Sequence, residues 1–151
     1  MNLIGAGGTG SRMLTELARM NYSLIALAHA GLQVNLYDDD IVTTANQGRQ
    51  LFANVEVGLP KAVALINRNN RFFGTNWKAV TEQFSTANLK SLPNRGRANI
   101  YISCVDTVSA RFDIATALRD CTGYSNFERT KSLYWLDIGN NVDNSVMLTI
   151  V

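Results

Sequence analysis

A run of glycines directly after an apolar strand constrains this chain more than any other feature. Leu3-Ile4 breaks into Gly5-Ala6-Gly7-Gly8-Thr9-Gly10-Ser11, and apolar residues then recur at helical period through Met13, Leu14, Leu17, Ala18, Leu24, Ile25 and Leu27. Glycines at such a turn permit a tight exit from the strand, close approach of the backbone to an anion, and close helix–strand packing. The helix predicted over 11–30, with Gly31 to end it, would aim its first amides and its partial positive charge at that anion. An alternating second strand over 32–37 stops at Asp38. The pattern predicts a βαβ unit with a nucleotide phosphate on the turn, against the plainer reading of a structural glycine turn. It does not separate NAD, FAD, S-adenosylmethionine and ATP.

Further along, apolar runs keep alternating with helical patterns. Pro60 suits the first turn of a helix over 61–73. Strands are predicted over 77–84, 100–104 and 133–138, and Thr107 or Ser109 caps a helix running to Leu118. A last strand over 145–151 follows the fifth after a short turn at 139–144, so it should be antiparallel. The expected fold class is α/β: Rossmann-like, a mainly parallel sheet with helices on both faces and an antiparallel C-terminal strand. With 151 residues, one domain can bury a core. A net charge of +2 is too small to argue for nucleic acid or a membrane surface. Cys104 and Cys121 form no Cys-x-x-Cys and the chain has one histidine, His29, which argues against a local zinc site or a disulfide framework. No apolar stretch approaches the roughly 18 residues of a membrane span, and a cytoplasmic protein is expected. Trp77, Trp135, Phe72 and Phe73 read as core, His29 as a helix-end residue, and 94–97 as an exposed loop.

The chemistry concentrates after the second strand, in Asp38-Asp39-Asp40-Ile41-Val42-Thr43-Thr44-Ala45-Asn46-Gln47-Gly48-Arg49-Gln50. Asp38 stands where an acid hydrogen-bonds a ribose hydroxyl, whether of NAD or ATP. Asp39 reads as a solvated acid, and Asp40 either orients the loop or assists a metal. Arg49 offers a planar fork for phosphate oxygens, and Lys61 a point charge at a helix start, where the dipole disfavours it unless an anion compensates. Asp106, after the fourth strand, can hold Mg²⁺ against an α-phosphate or cap the next helix. Cys104, on a hydrophobic strand, reads as a buried inert thiol.

Five motifs in order carry a resemblance: Gly5–Ser11, Asp38-Asp39-Asp40-Ile41-Val42, Asn46-Gln47-Gly48-Arg49-Gln50, Gly58-Leu59-Pro60-Lys61 and Cys104-Val105-Asp106. Through nearly its whole length the chain resembles the ThiF/MoeB/HesA family, the adenylating domain shared with ubiquitin-activating enzymes. The wording of 45–52, 61–77 and 135–140 looks closest to the ThiF-like proteins of PRTRC systems. The resemblance implies ATP and Mg²⁺ as cofactors. It also implies adenylylation of the C-terminal carboxylate of a small ubiquitin-like or sulfur-carrier protein, commonly by a homodimer. Arg49, Lys61 and Asp106 would be catalytic, with Asp106 on the metal. Gly5, Gly7, Gly8, Gly10, Asp38, Asp40, Asn46, Arg49, Gln50 and Lys61 would bind the nucleotide, Asp38 at the ribose and Asn46 and Gln50 on the phosphate side. Family members usually continue into a segment with a catalytic cysteine and often two zinc pairs. This sequence stops at Val151, so a single domain truncated at its C-terminus is expected, without zinc. Two other readings stay open. An NAD(P)-dependent oxidoreductase domain accounts for the glycines and Asp38 but leaves Arg49, Lys61 and Asp106 unexplained. A non-catalytic interaction module would keep the fold alone.

Overall fold

The computed structural model describes residues 1–91, 97–122, 134–138 and 146–150. The predicted turn at 139–144, most of the 94–97 loop and the side chain of Cys121 lie outside the described residues. In chain order the elements are β1 (Asn2–Ile4), α1 (Gly8–Ala26), β2 (Asn35–Tyr37), α2 (Lys61–Phe73), β3 (Lys78–Val80), α3 (Thr86–Ser91), β4 (Ile100–Ser103), α4 (Val108–Thr122), β5 (Tyr134–Ile138) and β6 (Val146–Ile150). The sheet order is β3-β2-β1-β4-β5-β6, parallel except for the antiparallel β5–β6 pair. The expected fold class therefore stands.

Successive residues of a strand face opposite sides of a sheet, and here they supply two separate cores. Leu3, Leu36 and Ile102 pack under α1 and α2 with Leu14, Leu17, Ala18, Leu65 and Ile66. Their neighbours Ile4, Tyr37 and Tyr101 pack on the other face with Ile114, Ala117 and Leu118 of α4. Helices thus cover both faces.

Several boundaries differ from the sequence pattern for physical reasons. The glycine turn stops β1 at Ile4, and the register Asn2↔Asn35 through Ile4↔Tyr37 leaves β2 only three residues to pair. β3 inherits the same limit, ending at Val80 rather than at Phe84. Helix α1 starts at Gly8, earlier than expected, and ends at Ala26 rather than at Ala30. Ala28 takes the left-handed conformation, φ 61°. The N–H of His29 then donates to Leu24 O (2.9 Å) and that of Ala28 to Ile25 O (3.0 Å), closing the helix end. Helix α3 was not expected at all. Phe72 is a correction of another kind: it is 80% exposed, whereas Trp77 is buried and donates its indole N–H to Leu32 O.

The connection 38–60 is a compact loop closed at its neck. Val42 N–H donates to Leu59 O (2.8 Å), Gly58 N–H to Val42 O (2.9 Å) and Lys61 N–H to Asp40 O (2.9 Å). Ile41 and Pro60 form an antiparallel bridge. Val42 and Phe52 anchor the loop in the core. Arg68 of α2 ties it down from outside, 3.2 Å from Glu56 and hydrogen-bonded to Leu51 O. Among the described residues no helix is long and apolar enough to cross a membrane.

Candidate functional site

The strand order reverses direction between β1 and β4, and in an open α/β sheet a crevice opens at that point beyond the strands' carboxyl ends. Gly5 and Gly10 shape it. Gly5, at φ +96°, sits so close to β4 that a Cβ there would lie 2.7 Å from Cys104 O. A Cβ on Gly10 would lie 1.9 Å from Gly5 O, so α1 can seat against the turn only with glycine at that position. Gly7 caps α1 with no side-chain hydrogen bond, and no acidic residue occupies the first turn. The first amides of α1 are therefore left open towards the crevice mouth.

One crevice of about 200 Å³ gathers much of the expected site. Gly5, Gly7, Asp38, Asp40, Gln50, Lys61 and Asp106 all line it. Asp38, at the end of β2, accepts a hydrogen bond from Ala6 N–H (2.6 Å) on one carboxylate oxygen and from Asp40 N–H (3.0 Å) on the other. Burial raises its pKa above the ordinary aspartate range. The N–H groups of Ala6 and Asp40 and the charge of Lys61 oppose that rise, and the charge of Asp40 adds to it.

Lys61 enters from the start of α2, its side chain only 8% exposed, and its ammonium lies 2.7 Å from the carboxylate of Asp40. The anion that compensates this cation at a helix N-terminus is thus a side chain of the protein. Asp40 itself orients the loop neck through its backbone and its ion pair. Asp106, on the β4–α4 turn, does not cap α4: Thr107 does, its hydroxyl oxygen accepting from Ala110 N–H at 3.3 Å. Asp106 is exposed and lines the crevice, with no hydrogen-bond or ion-pair partner among the described residues. Gln50 adds a buried amide oxygen without a partner among those residues.

Other expected residues lie elsewhere. Asn46, 6% exposed, turns inward, and its side-chain oxygen accepts from Thr43 N–H (2.7 Å) and the Thr43 hydroxyl (2.9 Å). It braces the loop and does not line the crevice. Arg49 sits on the opposite flank of the glycine turn, beside Gly8, with its Nε donating to Ala45 O at 3.1 Å. The three charged residues 49, 61 and 106 therefore do not converge in one pocket. Lys61 and Asp106 do, and Arg49 approaches the same turn from outside.

The far wall went unread in the sequence. Glu82, Gln83 and Phe84 line the crevice after β3, as do Asp113 and Ile114 of α4. Phe84 packs edge-on to Tyr37 (ring centroids 5.1 Å apart) and to Tyr101 (5.9 Å), giving an aromatic floor. Burial, with Tyr101 and Glu82 nearby, pushes the Tyr37 hydroxyl up to about 12. Cys104 also borders the crevice, but burial and then Asp137 push its thiol up to about 12, so it carries no thiolate at neutral pH.

A doubly wound α/β domain with a glycine turn, an aspartate at the end of β2 and a cation at its switch point has the architecture in which nucleotides bind. The chain belongs to the ThiF family, whose sequence model matches residues 1–121. Among solved structures it is similar to the tRNA N6-threonylcarbamoyladenosine dehydratase TcdA of E. coli in complex with ATP, at TM-score 0.63 and 23% identity over 79% of this chain and 46% of that one. The same enzyme in complex with AMP matches at TM-score 0.64 and 23% identity, over 79% and 45% of the two chains. At that identity the likeness is one of fold, and this chain spans less than half the length of those proteins. Among curated proteins none matches in sequence.

Proposed function

We propose that this chain is an ATP-binding adenylylating domain acting on the C-terminal carboxylate of a small ubiquitin-like or sulfur-carrier protein. One observation carries the reading: Asp38, Lys61 and Asp106, which has no partner among the described residues, line one crevice under an open glycine turn. The ribose hydroxyls go to Asp38 and the α-phosphate to the Gly7 amide, the first amides of α1 and Lys61. A carboxylate oxygen of the carrier attacks the α-phosphorus, a carboxyl–phosphate bond forms, and the α–β bridging bond breaks with release of pyrophosphate. Lys61 meets the negative charge that builds on the phosphoryl oxygens. Phe84 and Tyr37 offer the apolar surface for the base.

Mg²⁺ fits this donor set. Among the described residues no group of three or more His, Cys, Asp or Glu could hold a metal ion. Mg²⁺ in nucleotide sites instead takes one or two carboxylates plus phosphate oxygens, and Asp106 supplies the carboxylate. The ATP- and AMP-bound forms of E. coli TcdA support a nucleotide in a domain of this fold. The finer resemblance to PRTRC-system ThiF proteins, a homodimer, a cytoplasmic location and a single domain over 1–151 belong to the same proposal.

ATP–pyrophosphate exchange with a panel of ubiquitin-like and sulfur-carrier proteins tests it. Carrier-dependent exchange is the expected result. Binding of a nicotinamide nucleotide but not ATP would replace the reading with an oxidoreductase domain. Carrier binding with no affinity for ATP would leave an interaction module.

A further inference from the structure

Behind the crevice, a sheltered polar cluster on β4, β5 and α4 has no part in the chemistry proposed above. Ser103, at the end of β4, donates its hydroxyl to one carboxylate oxygen of Asp137 on β5 (2.6 Å) and accepts the indole N–H of Trp135 (3.0 Å). The other carboxylate oxygen of Asp137 lies 3.4 Å from Nε of Arg111, early in α4. Both partners of this ion pair are sheltered, with side chains 15% and 13% exposed. A terminal nitrogen of Arg111 also reaches back to the carbonyl oxygen of Val105 at 3.5 Å. Nε itself makes no hydrogen bond among the described residues. The guanidinium is thus stretched between two acceptors rather than seated on one.

Apolar side chains of similar volume often replace a buried ion pair with no loss of stability, so the pair is weak evidence for a role in folding alone. What it spans is more telling. Val105 directly precedes Asp106, whose own side chain has no partner among the described residues to fix its place. Val105 packs partly against the core under α4, but apolar packing is non-directional. Its carbonyl contact to Arg111 is directional and ties the β4–α4 turn to β5. Thr107, on the other side of Asp106, ties the turn only to α4, through Ala110.

We propose that Arg111 is a positioning residue: anchored by Asp137, it sets the β4–α4 turn so that the carboxylate of Asp106 is presented to Mg²⁺ in the crevice. This rests on the reading that Asp106 takes the metal. Arg111 is not among the residues lining the crevice, so it acts through Val105 and touches neither metal nor nucleotide. A planar fork meets two acceptors in fixed directions, whereas the ammonium of a lysine is a single point charge.

Calorimetric titration of the full chain with ATP, in EDTA and over a series of Mg²⁺ concentrations, tests this alongside thermal melts. Arg111→Ala should raise the Mg²⁺ concentration that half-maximally enhances ATP binding by about 10-fold, the lower end for loss of an outer-shell partner. Its affinity for metal-free ATP should be unchanged. Arg111→Lys keeps a charge opposite Asp137, so its melting midpoint should stay nearer wild type while its Mg²⁺ half-point remains raised. Thr107→Ala should lower the midpoint and leave the half-point alone. A wild-type half-point in both Arg111 variants would overturn the proposal and leave Arg111 a structural residue. So would an equal loss of ATP affinity with and without Mg²⁺, which would mean that the whole crevice is disturbed. ATP binding by wild type that ignores Mg²⁺ would remove the metal reading, and the proposal with it.

Discussion

Lys61→Met separates the roles of a buried cation in folding and in ligand binding. The ammonium is 2.7 Å from Asp40, but the two partners are unequally sheltered, with side chains 8% and 68% exposed. Stranding a buried charge costs about 3–5 kcal/mol. Here the charge left behind belongs to Asp40, which water solvates, so that penalty does not arise. What remains is the worth of a half-exposed pair, about 1 kcal/mol or less, and methionine refills the volume. Contact with a phosphate is worth more, about 1.5–3 kcal/mol for a charged hydrogen bond, or roughly 10- to 150-fold in affinity. Urea unfolding should therefore show a small change and ATP titration a large one. Asp40→Asn gives the opposite sign: it removes the competitor for the ammonium and should tighten ATP binding, since the backbone contacts of residue 40 survive. A loss above about 3 kcal/mol in Lys61→Met, with ATP affinity unchanged, would make Lys61 a structural residue and refute the argument.

Asp106→Ala should leave unfolding free energy within about 0.5 kcal/mol of wild type, as for other surface substitutions, while abolishing the Mg²⁺ dependence of ATP binding. Thr107→Ala should do the reverse, costing about 1 kcal/mol as a lost helix cap and sparing the Mg²⁺ response; matching effects from the two variants in denaturant melts and titrations would contradict the division of labour. Asp38 has a raised pKa in the folded state, so the native protein holds its proton more tightly than the unfolded chain. Relative to Asp38→Asn, wild type should keep its full stability below the ordinary value of 3.8 and lose it as pH rises past that value towards the folded-state pKa; a difference that stays flat or grows across a series of buffered melts would count against the burial. Ala28→Gly should raise the melting midpoint, since a left-handed alanine costs roughly 1–2 kcal/mol that glycine avoids; a lower midpoint would place Ala28 in a different conformation.

The βαβ frame was legible because its determinants are local. Leu3-Ile4, the glycines, the apolar period of α1 and the alternation up to Tyr37 each specify a conformation without help from distant residues. Asp38 and Asp106 were legible for the same reason, since a residue just beyond a parallel strand must face the switch-point crevice. Strand length was less legible, because pairing depends on the partner: the glycine turn shortens β1, and β2 and β3 are cut to match. That error hid Glu82, Gln83 and Phe84, which read as the rest of a strand and instead fold over the crevice. Arg49 and Asn46 sit in a loop whose path is set by long-range contacts from Val42, Phe52 and Arg68, so proximity in sequence to Asp38 did not place them.

The pinched neck of the 38–60 segment makes the Asp40–Lys61 pair tolerant of change in part of the excursion it closes. Asp40 and Lys61 are held side by side by Val42, Gly58, Leu59 and Pro60, so exposed residues outside the stretch from Asn46 to Phe52 can lengthen or shrink without parting them, at an entropic cost that grows only logarithmically. Such an appendage is free to diversify towards new recognition surfaces while the paired carboxylate and ammonium beneath it keep their places.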